Sequence, residues 1–157
     1  MTSSRPIVLS CKKKTNIGTW NVRTLYQTGK TAQLTKEMRR LNLTILGVCE
    51  TRWTNYGKNT LSSGETIIYS GKVGDNVPHA NGVAIVMNKQ ATSSLIEYEP
   101  VSDRIITARF DAKYRKLTII QVYAPTNEAP IEEKDEFYNQ LETSLVLHKP
   151  IKETSKS

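Results

Sequence analysis

Four polar side chains stand where runs of β-branched and small apolar residues begin or stop. Asn21 follows Ile17-Gly18-Thr19-Trp20, Glu50 follows Leu43 to Cys49, Arg104 precedes Ile105-Ile106, and Tyr123, with Asn127 beyond it, follows Ile119-Ile120-Gln121-Val122. The C-terminal ends of strands are where layered α/β folds bind ligands. A carboxylate beside an amide suits a hard divalent cation, Mg²⁺ or Mn²⁺, which takes oxygen ligands and keeps waters that a substrate phosphate replaces. Such an ion polarises a phosphodiester oxygen and activates water, while Tyr123 and Arg104 steady the developing negative charge. Plainer readings stand beside this one: Tyr123 as a loop tyrosine capping the core, Glu50 as a solvent-facing strand end, Asn21 as a turn former, and Arg104 as half of a surface pair with Asp103.

These residues need strands to position them, and the patterning supplies strands. Thr15 to Asn21 alternates with the period of two expected of a strand, and Leu43 to Cys49 is a near-continuous apolar run, as in a strand covered on both faces. Between them Leu25 to Leu41 has helical spacing, with Leu34, Met38 and Leu41 on one face, Arg39 and Arg40 in the last turn and Asn42 as C-cap. Strand, helix and strand of these lengths fit a βαβ crossover, which would bring Asn21 and Glu50 to the same edge.

Further on, Glu65 to Ser70 alternates, Gly71 to Pro78 reads as a loop, and Gly82 to Met87 reads as a buried strand. Leu95 to Tyr98 and Arg104 to Phe110 follow, the latter turning through residues 111–115 into Lys116 to Tyr123 as a hairpin. Pro125 has no N–H to continue that strand. A helix over residues 131–147 opens with Glu132, Glu133 and Asp135 and places Phe137, Leu141 and Leu145 on one face. Residues 1–13 read as a polar leader, 14–148 as one domain, and 149–157 as a polar tail.

The composition narrows the partners. The 157 residues carry 22 Lys and Arg against 15 Asp and Glu, a net +7, which suits polyanions such as nucleic acid or acidic lipid as partners, although many basic proteins bind neither. Lys12 to Lys14 is too short a basic run for a nuclear signal. Cys11 and Cys49 form no metal-binding spacing and point to a reducing compartment, nuclear or cytoplasmic. No run approaches the roughly 18 apolar residues of a membrane span. His79 and His148 read as loop and helix-end histidines.

Five stretches resemble, in order, the endonuclease/exonuclease/phosphatase superfamily: Thr19-Trp20-Asn21-Val22-Arg23-Thr24-Leu25, Val48-Cys49-Glu50-Thr51-Arg52-Trp53, Asn81-Gly82-Val83-Ala84-Ile85, Asp103-Arg104-Ile105-Ile106, and Val122-Tyr123-Ala124-Pro125-Thr126-Asn127. Within it the chain resembles the apurinic-type endonuclease domains of LINE-type retrotransposons and the craniofacial development protein 2-like proteins. The resemblance implies an α/β sandwich, two mixed β-sheets packed face to face with flanking helices, that cleaves DNA phosphodiesters with a divalent metal. It implies Glu50 as metal ligand, Asn21, Tyr123 and Arg104 as catalytic residues, and Arg23, Arg52 and Asn127 at phosphate or DNA. Arg23 stands where repair apurinic endonucleases have an acid, which favours the retrotransposon branch, whose full-length members carry a reverse transcriptase domain. The family's later Gly-Asp-spacer-Asn and Ser-Asp-His motifs are absent from these 157 residues. The expectation is therefore a C-terminally truncated domain, with an unpaired sheet edge and doubtful hydrolysis. A non-catalytic nucleic-acid-binding remnant, or a phosphoesterase acting on another substrate, stays open.

Overall fold

A computed structural model describes residues 15–25, 29–112 and 115–147. The leader, Cys11, Lys12 to Lys14, His148, the tail, the middle of the 111–115 turn and the segment 26–28 lie outside the described residues. The chain divides into two compact units, one ending at Tyr123 and one beginning at Ala124.

The first unit contains two sheets. β1 (Ile17–Asn21) and β2 (Ile45–Cys49) are parallel neighbours, with Asn21 opposite Cys49. The crossover between them is α1 (Lys30–Arg40), which confirms the βαβ arrangement. β2 then pairs antiparallel with β5 (Val83–Met87), β5 with β4 (Thr66–Ser70), and β4 with the outer strand β3 (Tyr56–Thr60). The second sheet is the meander β6 (Leu95–Ser102), β7 (Ile105–Asp111) and β8 (Lys116–Val122), with α2 (Lys89–Ser94) leading into it. Among the described residues β8 has a partner on one side only, and its side chains after Lys116 are half-buried.

The apolar runs have a direct explanation: the first sheet is buried on both faces. Ile45, Ile68, Val83, Ile85 and Met87 point toward the second sheet and meet Ile106, Ala108 and Phe110. The alternate residues Leu46, Val48, Ile67, Ala84 and Val86 point the other way, against Leu34 and Met38 of α1. Burying each such branched side chain stabilises by about 1.5–3 kcal/mol.

Several expectations need correction. α1 starts at Lys30 rather than Leu25, because Gly29 takes a left-handed conformation (φ 88°) that a helix cannot contain. Leu41 is the C-cap and 52% exposed, outside the buried face, and left-handed Asn42 (φ 53°) follows it, its N–H bonding to the Arg39 carbonyl at 3.1 Å. β4 is buried almost throughout rather than alternating, because it is an interior strand of the covered sheet. β3 and α2 were not anticipated.

The second unit contains α3 (Ile131–Leu147), with Glu132 and Glu133 in its first turn as expected. Phe137 and Ser144 are buried, but Leu145 is 54% exposed, so the buried stripe of α3 differs from the predicted one. No helix among the described residues is long and apolar enough to cross a membrane.

Candidate functional site

Parallel pairing of β1 and β2 puts Asn21 and Glu50 side by side, and their side chains bond directly, Asn21 Nδ2 donating to Glu50 Oε2. The other end of the same amide is also engaged: Asn21 Oδ1 accepts from the Arg23 backbone N–H at 3.0 Å. With both ends held, the amide serves to orient Glu50. From the second sheet, Tyr123 lies close enough to Glu50 for the carboxylate charge to act on its phenol. Residues leaving β1, β2 and β8 thus converge on one half-buried carboxylate.

Arg104 packs on this cluster from the turn between β6 and β7. Its guanidinium Nη1 donates to the Tyr123 carbonyl at 2.9 Å, the Tyr123 N–H donates back to the Arg104 carbonyl at 2.9 Å, and its Cζ lies 5.1 Å from the Tyr123 ring centre. Burial pushes the Tyr123 phenol above its ordinary pKa, the Glu50 charge adds to the rise, and the Arg104 cation opposes it. Tyr123 is therefore held protonated, as a hydrogen-bond donor. Burial and then the Glu50 charge also raise the Cys49 thiol, which disfavours its thiolate. The Tyr123 ring leans on the intersheet core, as its plainer reading has it, with the phenol directed to the Glu50 side.

The backbone carrying these groups is unusual. Arg23, Glu50 and Arg52 have φ of 64°, 61° and 62°, the left-handed region that costs an L-residue about 1–2 kcal/mol. Specific bonds hold it there. Val22 N–H reaches the Cys49 carbonyl (3.1 Å), Leu25 N–H the Thr51 carbonyl (2.9 Å), Thr51 N–H the Gly82 carbonyl (3.2 Å) and Arg52 N–H the Asn81 carbonyl (2.8 Å). Asn81 and Gly82 are left-handed in turn, at 58° and 95°. They are tied to the Arg104 turn, Asn81 Nδ2 donating to Asp103 Oδ2 at 2.7 Å and Gly82 N–H to the Asp103 carbonyl at 2.9 Å. Lys72 Nζ completes the clamp, 3.0 Å from Asp103 Oδ2. Asp103 is thus paired with Lys72 and Asn81.

Of the sequence-predicted residues, Asn21, Glu50, Arg104 and Tyr123 form one cluster. Arg23 and Arg52 flank it on the same strained loops, both exposed to solvent. Asn127 belongs to the second unit, where it is exposed and its carbonyl accepts from Lys134 Nζ. His79 is an exposed loop histidine with Nδ1 3.3 Å from the Arg52 carbonyl. The clamp residues Lys72 and Asn81 were not singled out as site residues. Asn81 does stand in one of the five stretches that carry the resemblance, and its Asn-Gly dipeptide favours left-handed backbone.

Glu50 offers carboxylate oxygens at a half-buried position, a donor type that fits a hard cation retaining most of its waters. Among the described residues no group of three or more His, Cys, Asp and Glu side chains is gathered.

The chain is similar to known proteins in sequence and in fold. It is 41% identical over 137 residues to craniofacial development protein 2 of Bos taurus, and 40% identical over 137 residues to that of Tragulus javanicus. These matches cover 87% of this chain, which spans only 22% and 23% of the respective relatives. Among solved structures, the endonuclease domain of TRAS1, a telomere-specific non-LTR retrotransposon, matches with a TM-score of 0.57 at 14% identity, covering 85% of this chain and 53% of that one. No family model matches.

Proposed function

With the DNase-I-like α/β sandwich of the endonuclease/exonuclease/phosphatase superfamily as the frame, we propose that this chain carries the phosphate-engaging part of a divalent-cation-dependent DNA endonuclease of retrotransposon type. The observation that supports it is the convergence of Asn21 from the first sheet and Tyr123 from the second on the Glu50 carboxylate. Glu50 would hold Mg²⁺ or Mn²⁺, which when bound supplies Lewis acidity at a phosphodiester oxygen. Asn21 orients the carboxylate. Tyr123, kept protonated, donates to a phosphate oxygen, and the Arg104 cation offsets charge that builds on the phosphorus substituents. Arg23 and Arg52, exposed beside the cluster, neutralise neighbouring phosphates.

The attacking water must also surrender a proton. The cluster of Asn21, Glu50, Arg104 and Tyr123 holds no imidazole and no second carboxylate to take it. A second reading is a nucleic-acid-binding domain that holds phosphodiesters without cleaving them.

Nicking of supercoiled plasmid separates the two. The chain, its Glu50→Ala variant and a version extended with the Gly-Asp-spacer-Asn and Ser-Asp-His motifs are compared with and without Mg²⁺. Metal-dependent nicking that Glu50→Ala abolishes supports the endonuclease. DNA retention that ignores Glu50→Ala, with no nicking from any version, supports the binding domain.

A further inference from the structure

Three residues beyond Glu50, on the helix-covered side of the first sheet, lies an open recess of about 280 Å³ lined by Trp53, Thr54, Asn59, Tyr69 and His79. Trp53 and Tyr69 meet edge to face, ring centres 5.0 Å apart at 88°, and both are half-buried with one side packed on the α1 core. Tyr69 pairs across the ladder with Gly57, and its ring occupies the volume a side chain there would fill: a Cβ on Gly57 would sit 2.9 Å from the phenol oxygen and 3.2 Å from Cζ. The phenol end of the ring therefore lies over outer strand β3, beside the open recess. Neither the Tyr69 hydroxyl nor the Trp53 indole N–H has a hydrogen-bond partner among the described residues. Asn59 and His79, both exposed, stand at the rim with amide and imidazole groups.

We infer that this recess is a nucleobase subsite, which stacks one unpaired base of a nucleic-acid strand on the Trp53–Tyr69 platform. The inference rests on the proposed endonuclease reading for its polymer. A free small ligand needs a pocket that encloses most of its surface, whereas a base tethered to a strand is held by its backbone and needs only an open shelf. Stacking on an aromatic face suits every base, and the rim amide and imidazole supply donors and acceptors to a base edge. The backbone phosphates find Arg52, exposed and adjacent to Trp53, on a chain of net charge +7. Three residues reach at most about 10 Å, roughly three base steps at the 3.4 Å spacing of a DNA strand. The stacked base thus lies close along the strand to the phosphate at Glu50.

The chain has two tryptophans, so in a Trp20→Phe background Trp53 is the sole indole reporter. In EDTA this protein is titrated with an oligothymidylate and with an abasic strand of equal length. The thymidylate should quench Trp53, the abasic strand should not, and Tyr69→Leu should weaken thymidylate binding about ten-fold. Asn59→Ala, at an exposed strand position away from the core, should weaken it several-fold and guards against misfolding of Tyr69→Leu. Equal quenching and affinity for both strands, no binding of either, or affinity unmoved by both substitutions overturns the subsite. Plasmid nicking by the same preparation and by the version extended with the later motifs is scored separately. Nicking by either without base-dependent quenching sinks the subsite alone, and base-dependent quenching with no nicking from either sinks the hydrolytic reading alone.

Discussion

Replacing Gly82 by alanine tests the geometry that holds Glu50, without touching Glu50 itself. Gly82 sits at φ 95°, where a side chain costs about 1–2 kcal/mol. A Cβ there would lie 2.3 Å from Thr51 Oγ1 and 3.1 Å from the Arg52 nitrogen. Thr51 is fully buried, and its hydroxyl accepts from the Trp53 N–H at 3.3 Å, so it has little room to retreat. Overpacking of this kind adds about 1–3 kcal/mol. The expected loss is about 2–5 kcal/mol in all, which for a chain of this size lowers Tm by roughly 4–20 °C, read by calorimetry. Thr51→Ala removes the atom in the way, at about 1 kcal/mol for the lost hydrogen bond. In that background Gly82→Ala should cost only the backbone share, leaving a coupling of about 1–3 kcal/mol in the double-mutant cycle. Equal costs in both backgrounds would refute the clash with Thr51, and an unchanged Tm for Gly82→Ala would refute the whole reasoning.

Other outcomes follow from named contacts. Asn21→Ala leaves the Glu50 carboxylate unoriented and should lower Mg²⁺ affinity or nicking by about 10–100-fold, measured by calorimetric titration of the metal. A Cβ on Gly47 of β2 would fall 1.9 Å from Gln121 Oε1 of the facing sheet; because that amide is the end of a flexible side chain, Gly47→Ala should cost only about 1 kcal/mol, and Gln121→Ala should remove the penalty in urea titrations. For Glu65, burial works to raise the carboxyl, but hydrogen bonds from Ser63 and Arg39 and the Arg39 charge outweigh it, and the pKa is lowered. Its stabilisation is present above the unfolded carboxylate value of about 4.3 and is lost as pH falls through the folded value. Glu65→Gln should therefore flatten the acid side of a stability–pH curve. Tyr123, raised by burial and Glu50, acts at the other end: stability holds below about pH 10 and declines as pH rises through the folded value, a decline that Tyr123→Phe should erase.

The strands that hold the site were legible because their surroundings are simple. β2 and β5 lie between α1 and the second sheet, and burial on both faces writes itself as continuous Val, Ile, Leu and Met. β3 was not legible. Tyr56-Gly57-Lys58-Asn59-Thr60 is largely exposed at the sheet edge and is a strand by virtue of its ladder to β4, which its own pattern does not announce. α2 is six residues long, and its one local mark is Asn88, whose side chain accepts the Ala91 N–H at 2.8 Å. Leu41 and Leu145 kept helical spacing yet stay exposed, since spacing assigns a face without saying how far its cover extends. At the site, Asn21, Glu50, Arg104 and Tyr123 could be seen as strand ends. The left-handed turns at Arg23, Glu50 and Arg52, and the tie from Asn81 to Asp103, depend on contacts between segments far apart in the chain.

The bonds from the Thr51 and Arg52 amides to the Gly82 and Asn81 carbonyls prolong the β2–β5 pairing beyond its last registered pair, Cys49 and Val83. That pairing joins segments more than thirty residues apart and runs through the middle of the first sheet, so its loop-closure entropy must be overcome before the Glu50 loop has anything to bond to. The loop is therefore expected to form after the central ladder and to open with it. Hydrogen exchange should place the Thr51 and Arg52 amides with the slow class set by global unfolding rather than with the fast-opening surface turns. A carboxylate carried on such a loop would be ordered before any ligand arrives, so that little of a ligand's binding energy would go into ordering it.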